Sequence, residues 1–375
     1  MLTRAGLFGS AKRPLPMLRS RIAAIPCRSL RSQRNLSTDT AKQPADTDTT
    51  KPPAADNGSP KERPPGTYAI WAMEAIGATA AFLYYLHLHT DILKPKVTEC
   101  LTPEQYTGFT LLEKEPLTSD TTRFRFRVNR PRFDGDREKL VDSVRESGVW
   151  AVDVKDHLVQ TFRTYTPMHY HVAQTADDET GARHGYLDLV VKRYPRGSLS
   201  RFLHDTRVGD QVEMRGPVLS WPYEKGKYGS VYMVAGGTGI APMFQLIERT
   251  LEDPEDKDTT LHLLYGSPSH DHVIYRQKLD ALVHAHPDRL HIHYLVDQQL
   301  PADVMDPLLH VGHPDKHSIA RFAQAFDSRR DVMLVCGPDP MLASVCGTRP
   351  INAGQGLLAG ALKELGFPAS RVFKF

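Results

Sequence analysis

Four short stretches hold residue types that could do chemistry. The first is Gly236-Gly237-Thr238-Gly239, where an apolar run meets small, flexible residues and then Pro242 and a helical pattern. Glycines let a backbone approach a phosphate closely, and the helix N-terminus that follows favours an anion. The second is CGPDPM at 336–341, with a thiol at Cys336 ahead of Gly337, Pro338 and Met341. The third is FRTYTPMHY at 162–170, which sets Arg163 beside Tyr165 and Thr166. A guanidinium can grip a diphosphate through two hydrogen bonds, and an aromatic ring offers a flat surface to a planar ligand. The fourth is VKRYPRGSLSRFL at 191–203, with Lys192, Tyr194 and the turn Gly197-Ser198-Leu199-Ser200 before a short helical pattern. Taken singly, each has a plain structural explanation: a turn, a buried thiol, a chance triplet. Their order along one chain is the informative feature.

Two kinds of pattern must position these residues. From 101 to 223 the chain reads as short alternating strands with turn signals, as in TTRFRFRVN, YLDLVVKRYP and GDQVEMRGP. Such a run suggests an antiparallel β-barrel. A charged helical stretch, DGDREKLVDSVRESG at 134–148, interrupts it as an insertion on the barrel surface. From 228 to 375 strands alternate with helices, which predicts a parallel sheet covered by helices. The glycine loop falls at the carboxyl end of that sheet's first strand, and CGPDPM at the end of a later one. Ligands bind at such strand ends.

The four motifs, in this order, resemble those of the ferredoxin-reductase superfamily in its cytochrome-b5 reductase branch. The resemblance covers roughly 101–375. It implies a β plus α/β architecture: an FAD-binding barrel, then a nicotinamide-nucleotide domain. It implies that Arg163 binds the FAD pyrophosphate, that Tyr165 packs on the flavin, and that Thr166 lies near its reactive nitrogen. Lys192 and Tyr194 would flank the flavin tail, and 197–200 would offer backbone N–H groups to the pyrophosphate. The loop 236–239 with Pro242 would hold the nucleotide. Cys336 would sit beside the nicotinamide, in a pocket shaped by Gly337 and Pro338, with Met341 completing the motif. The expected reaction is hydride transfer from NADH or NADPH to FAD, with Thr166 and Cys336 closest to the chemistry, then release of single electrons. No arginine lies between Gly266 and Tyr275 to meet a 2′-phosphate, and Asp271 is acidic, so NADH is favoured. Two features depart from the pattern: Thr164 replaces a usual proline, and GTRPINAGQG at 347–356 replaces a simpler ending.

The first 38 of the 375 residues hold eight Lys/Arg and no acid, so the net charge of +3 becomes −5 for the rest. A mildly acidic body argues against nucleic-acid binding. The Arg- and Ser-rich segment 1–36 reads as a mitochondrial transit peptide. Residues 37–66 read as a disordered linker, and 67–89, with a single charge at Glu74 between Tyr68 and Leu88, as one membrane-spanning helix. Together they suggest arrest in the inner mitochondrial membrane, with the soluble part expected in the intermembrane space, although Lys61 and Arg63 before the span balance Lys94 and Lys96 after it and leave the sidedness open. GVWAVDVKDHLVQTFRTYTP and the C-terminal tail resemble a fungal inner-membrane flavoprotein group that supports haem attachment to cytochrome c. That resemblance implies haem or a haem protein as acceptor, with a haem lyase and apo-cytochrome c as partners. A conventional cytochrome b5 reductase and a cofactor-poor assembly scaffold are the alternatives. His169 and His171 are read as a solvated loop rather than metal or haem ligands, and Phe375 as plugging the core or covering the site.

Overall fold

The computed structural model describes residues 99–130, 135–156, 160–173, 183–298, 306–350 and 354–375. The expected transit peptide, linker and membrane span lie outside them. Among the described residues no helix is long and apolar enough to cross a membrane.

The first half is built from seven antiparallel strands: β1 (Thr107–Pro116), β2 (Thr121–Arg130), β3 (Gly148–Lys155), β4 (Phe162–Tyr165), β5 (His169–Val172), β6 (Arg183–Lys192) and β7 (Gln211–Pro222). Their order across the sheet is β4-β3-β7-β1-β2-β6-β5. In β2 the period-two pattern buries Phe124, Phe126 and Val128 and leaves the arginines between them on the outer face. These rings pack with Trp150, Leu187 and Val212 into a single core, which the short helix α2 (Ser198–Asp205) caps with Leu199 and Leu203. β4 and β5 are the sheet's two edges, so the expected barrel is curled around its core with its seam left open. The expected inserted helix is α1 (Gly135–Glu146), set between β2 and β3. His169 and His171 lie on strand β5 rather than in a loop, because the pairing of 169–172 with β6 overrides their polarity.

The second half follows the alternation read from the sequence. β8 (Ser230–Gly236), β9 (Thr260–Ser267), β10 (Leu290–Val296), β11 (Leu309–Val311), β12 (Val332–Cys336) and β13 (Val372–Lys374) form a parallel sheet of order β11-β10-β9-β8-β12-β13. α3 (Ile240–Glu252) and α4 (Arg276–Ala285) cover one face, while α5 (Lys316–Phe322), α6 (Asp339–Val345) and α7 (Gly360–Glu364) cover the other. α4 starts three residues later than the pattern over 273–286 suggests. A 3₁₀ turn at His270–His272 precedes it, and Tyr275 takes a left-handed φ of 58° before its first turn.

The two halves share an apolar interface. Val149, Met168, Val190 and Trp221 from the antiparallel half pack in one cluster with Met243 and Phe244 of α3. That contact fixes one half against the other through area, which carries no directional information.

Candidate active site

The loops 236–239 and 336–341 meet where the strand order reverses. β8 leads to β9 on one side, and β12 returns on the other, so Ala235 of β8 pairs with Cys336 of β12. A crevice opens at such a switch point, beyond the carboxyl ends of the strands. Gly237–Gly239 leaves β8 as a single 3₁₀ turn and runs into α3, with Pro242 in its first helical turn. A Cβ on Gly239 would lie 2.3 Å from the carbonyl oxygen of Cys336, and one on Gly236 would lie 2.5 Å from Met341 Sδ. Met341 also closes on Gly337, where a Cβ would meet its Cε at 2.6 Å. The glycines therefore let two loops about a hundred residues apart touch backbone to backbone, with Met341 wedged beneath them. Gly237 differs: its φ of 52° is left-handed, and a Cβ there would meet nothing within 4 Å.

Facing this crevice are the flavin-type stretches of the antiparallel half. A cavity of about 530 Å³ is lined by Tyr165, Thr166, Lys192 and Tyr194 from that side and by Thr238, Gly239, Pro242 and Cys336–Pro338 from the other. Burial pushes the Tyr165 phenol up to about 12, so it stays neutral and works as a ring. Burial also pushes the Cys336 thiol up to about 12, which makes it a compact neutral wall and not a nucleophile. Lys192 lines the cavity while its ammonium pairs with Asp120 at 2.7 Å.

Other expected site residues stand behind the cavity wall. Gly197 caps α2, and Ser198, Leu199 and Ser200 form its first turn, not a free turn ahead of it. The Leu199 side chain is in the core. Ser200 Oγ accepts the Tyr194 N–H at 3.2 Å and donates to Gly197 O at 3.2 Å, so its hydroxyl shapes the turn. Arg163 lies on the exposed strand β4 and donates to Phe162 O at 2.8 Å. Its guanidinium is beside Tyr165 but outside the cavity lining. Thr164 donates to Asp153 Oδ1 at 2.7 Å, and Arg215 holds Asp153 Oδ2 through two nitrogens at 3.0 and 2.9 Å. The departure from proline therefore ties β4 to its neighbouring strands.

Comparison with known proteins agrees with this arrangement. Residues 108–223 match an oxidoreductase FAD-binding domain and residues 233–347 an oxidoreductase NAD-binding domain. NADH-cytochrome b5 reductase 2 of Aspergillus niger is 32% identical over 265 residues, covering 71% of this chain and 76% of that one. The protein of the same name from Coccidioides immitis is 35% identical over 215 residues, covering 57% of this chain and 62% of that one. The chain belongs to the NADH-cytochrome b5 reductase family. The cytochrome b5 reductase domain of Ulva prolifera nitrate reductase has the same fold, with 26% identity and a TM-score of 0.54 over 73% of this chain and 99% of that one. The protein is thus an NAD(P)H-dependent FAD oxidoreductase.

The residues present fit those two nucleotides. Gly237 leaves open space where a phosphate could lie against backbone, and the start of α3 adds a positive dipole end. Tyr165, Val190, Val218 and Leu219 give the cavity flat apolar surface for a ring system, with Tyr194 at its edge. A bound flavin accepts a hydride from a dihydronicotinamide and can release electrons singly. What the chain contributes is orientation and shelter. Thr238 and Gly239 set one wall, Tyr165 and Thr166 the other, and the neutral Cys336 thiol adds no charge of its own between them.

Arg349 and Phe375 also line the cavity, outside the four motifs. Arg349, in the segment that departs from the family pattern, lines it beside Cys336 and Gly337. Phe375 follows β13; its N–H donates to Val335 O at 3.0 Å and its ring lines the cavity. The terminal strand plugs the sheet edge and presents that ring at once. Gln355, from the same departing segment, holds the strand by accepting the Lys374 N–H at 2.6 Å and donating to Lys374 O at 3.1 Å. Length from a motif gives no hint of these contacts. The sequence signals are the departing segment 347–356 and an aromatic at position 375.

Proposed function

We propose that the protein carries electrons from NADH through FAD to a haem-protein acceptor at the inner mitochondrial membrane. The observation that carries this reading is the shared cavity, where Tyr165 and Thr166 face Thr238, Gly239 and Cys336. NADH is favoured over NADPH because the segment after β9 offers no arginine for a 2′-phosphate between Gly266 and Tyr275, and because the relatives are named for NADH. Their names also point to a cytochrome b5-type acceptor. Arg349 and Phe375 at the cavity support a surface suited to an acidic haem protein, whose haem edge would approach the flavin there. The acid-free 1–36 and the apolar 67–89 support the membrane location, and cytochrome c haem attachment is the process that joins the two.

The test uses the full chain purified in detergent. A flavin spectrum that bleaches on anaerobic addition of NADH, and recovers on adding ferric cytochrome b5 or ferric haem, is the expected result. The faster of the two oxidants identifies the acceptor class. No bleaching with either nucleotide would refute the reading. Protease protection of the soluble part in intact, but not swollen, mitochondria is expected.

A further inference from the structure

Outside the motifs, Gln245 makes a two-ended hydrogen-bonded contact between the two halves. It lies on α3, three residues beyond Pro242, so about one helical turn separates it from the cavity wall. Its Oε1 accepts the backbone N–H of Trp150 at 2.8 Å, and its Nε2 donates to the backbone carbonyl of Pro167 at 3.2 Å. Both partners belong to the antiparallel half. Each adjoins a cavity-lining residue: Ala151 follows Trp150, and Thr166 precedes Pro167. The strand is locally reshaped at this point. The register of β3 against β7 slips between Val149 and Trp150, and again between Ala151 and Asp153. Such a bulge turns backbone groups out of the regular ladder, here towards α3.

We propose that Gln245 is a positioning residue that sets the hydride donor's half of the cavity against the acceptor's half. It stands outside the cavity lining. A primary amide is suited to this place, because one partner is a donor and the other an acceptor and both are fixed in the backbone. The apolar interface around Met168, Met243 and Phe244 holds the halves together but sets no register. Hydride transfer depends steeply on approach and alignment, so a shift of about 1 Å costs on the order of a hundredfold. The proposal rests on the oxidoreductase reading of the same cavity.

The test compares full-length wild type with Gln245→Leu and Gln245→Glu, each carrying its FAD, at a pH where the glutamate is ionised. Leucine removes both hydrogen bonds. Glutamate still accepts from Trp150 but sets a second acceptor against the Pro167 carbonyl. Both variants are expected to keep their flavin spectrum and their reduction by dithionite. Their limiting rate of anaerobic reduction by NADH should fall at least about tenfold. The kinetic isotope effect with deuterated NADH should rise. Hydrogen exchange at the Trp150 amide should accelerate in Gln245→Leu and stay slow in Gln245→Glu. A limiting rate within about twofold of wild type in either variant overturns the two-ended clamp, whatever happens to the melting temperature. Should the leucine variant not fold, the glutamate variant decides alone. If NADH fails to reduce the wild-type flavin, the oxidoreductase reading fails instead, and the Trp150 exchange still reports on the clamp.

Discussion

Gly239→Ala isolates the contact between the two nucleotide motifs. The φ of Gly239 is −64°, a value any residue adopts, so alanine meets no backbone penalty there. Its methyl, however, would lie 2.3 Å from Cys336 O, 2.5 Å from Cys336 C and 2.8 Å from Gly337 N. Ordinary contact begins near 3.4 Å, so the loops must part by about 1.1 Å. Neither side yields readily, because β8 and β12 are paired up to this point. Overpacking of this kind costs about 1–3 kcal/mol of stability. The same displacement falls on the cavity wall formed by Gly239 and Cys336–Pro338, where about 1 Å of misplacement corresponds to roughly a hundredfold in rate, or about 2.7 kcal/mol of barrier. The assay is kcat/KM for NADH with ferricyanide as acceptor, alongside thermal melting and FAD content. A hundredfold loss with FAD retained is expected. Gly226→Ala serves as the control: its φ of 69° predicts about 1 kcal/mol of strain, its surroundings are open, and its kinetics should match wild type. Wild-type NADH kinetics in Gly239→Ala would refute the reasoning that these loops are in backbone contact.

Other consequences follow from single contacts. Thr164→Val removes the hydrogen bond to Asp153 and should cost about 1 kcal/mol in a urea titration, with weaker FAD retention on dilution. Burial raises the Glu248 carboxyl to about 7 in the folded protein, above its unfolded value of 4.5. The folded state therefore binds this proton more tightly, and stability from this group is lost as pH rises through 4.5 towards 7. Glu248→Gln should melt higher than wild type above pH 7, by on the order of 1 kcal/mol after allowing for solvent screening, and equally near pH 4. Equal melting at both pH values would count against the buried carboxyl. Arg349→Glu should lower kcat/KM for an acidic haem-protein acceptor several-fold at low salt and less at high salt, while ferricyanide reduction by the two proteins at high salt stays similar.

The elements were largely legible because their periods are local. β2 alternates and buries one face; β8 is a continuous apolar run and is buried on both. Misplaced boundaries have equally local causes. The segment 197–200 reads as a turn from its glycine and serines, yet packing of Leu199 and Leu203 into the core starts the helix at Ser198. Residues 169–172 read as a loop from their histidines, yet pairing with β6 makes them a strand. Arg163 was singled out by type and place in a motif, but its rotamer is set by the Phe162 carbonyl, which no spacing reports.

The motifs themselves were determined by sequence alone, since a glycine loop and a CGPDPM segment require particular residues at particular offsets. Tertiary structure decided what surrounds them. Crossing from β8 to β12 put Gly239 against Cys336, the reversal of strand order opened the cavity, and a register slip in β3 turned the Trp150 amide towards Gln245. Arg349, Phe375 and Gln245 act through neighbours far away in the chain, so a linear pattern cannot contain them. Periodicity records which face of an element is buried; it is silent about which distant element does the burying.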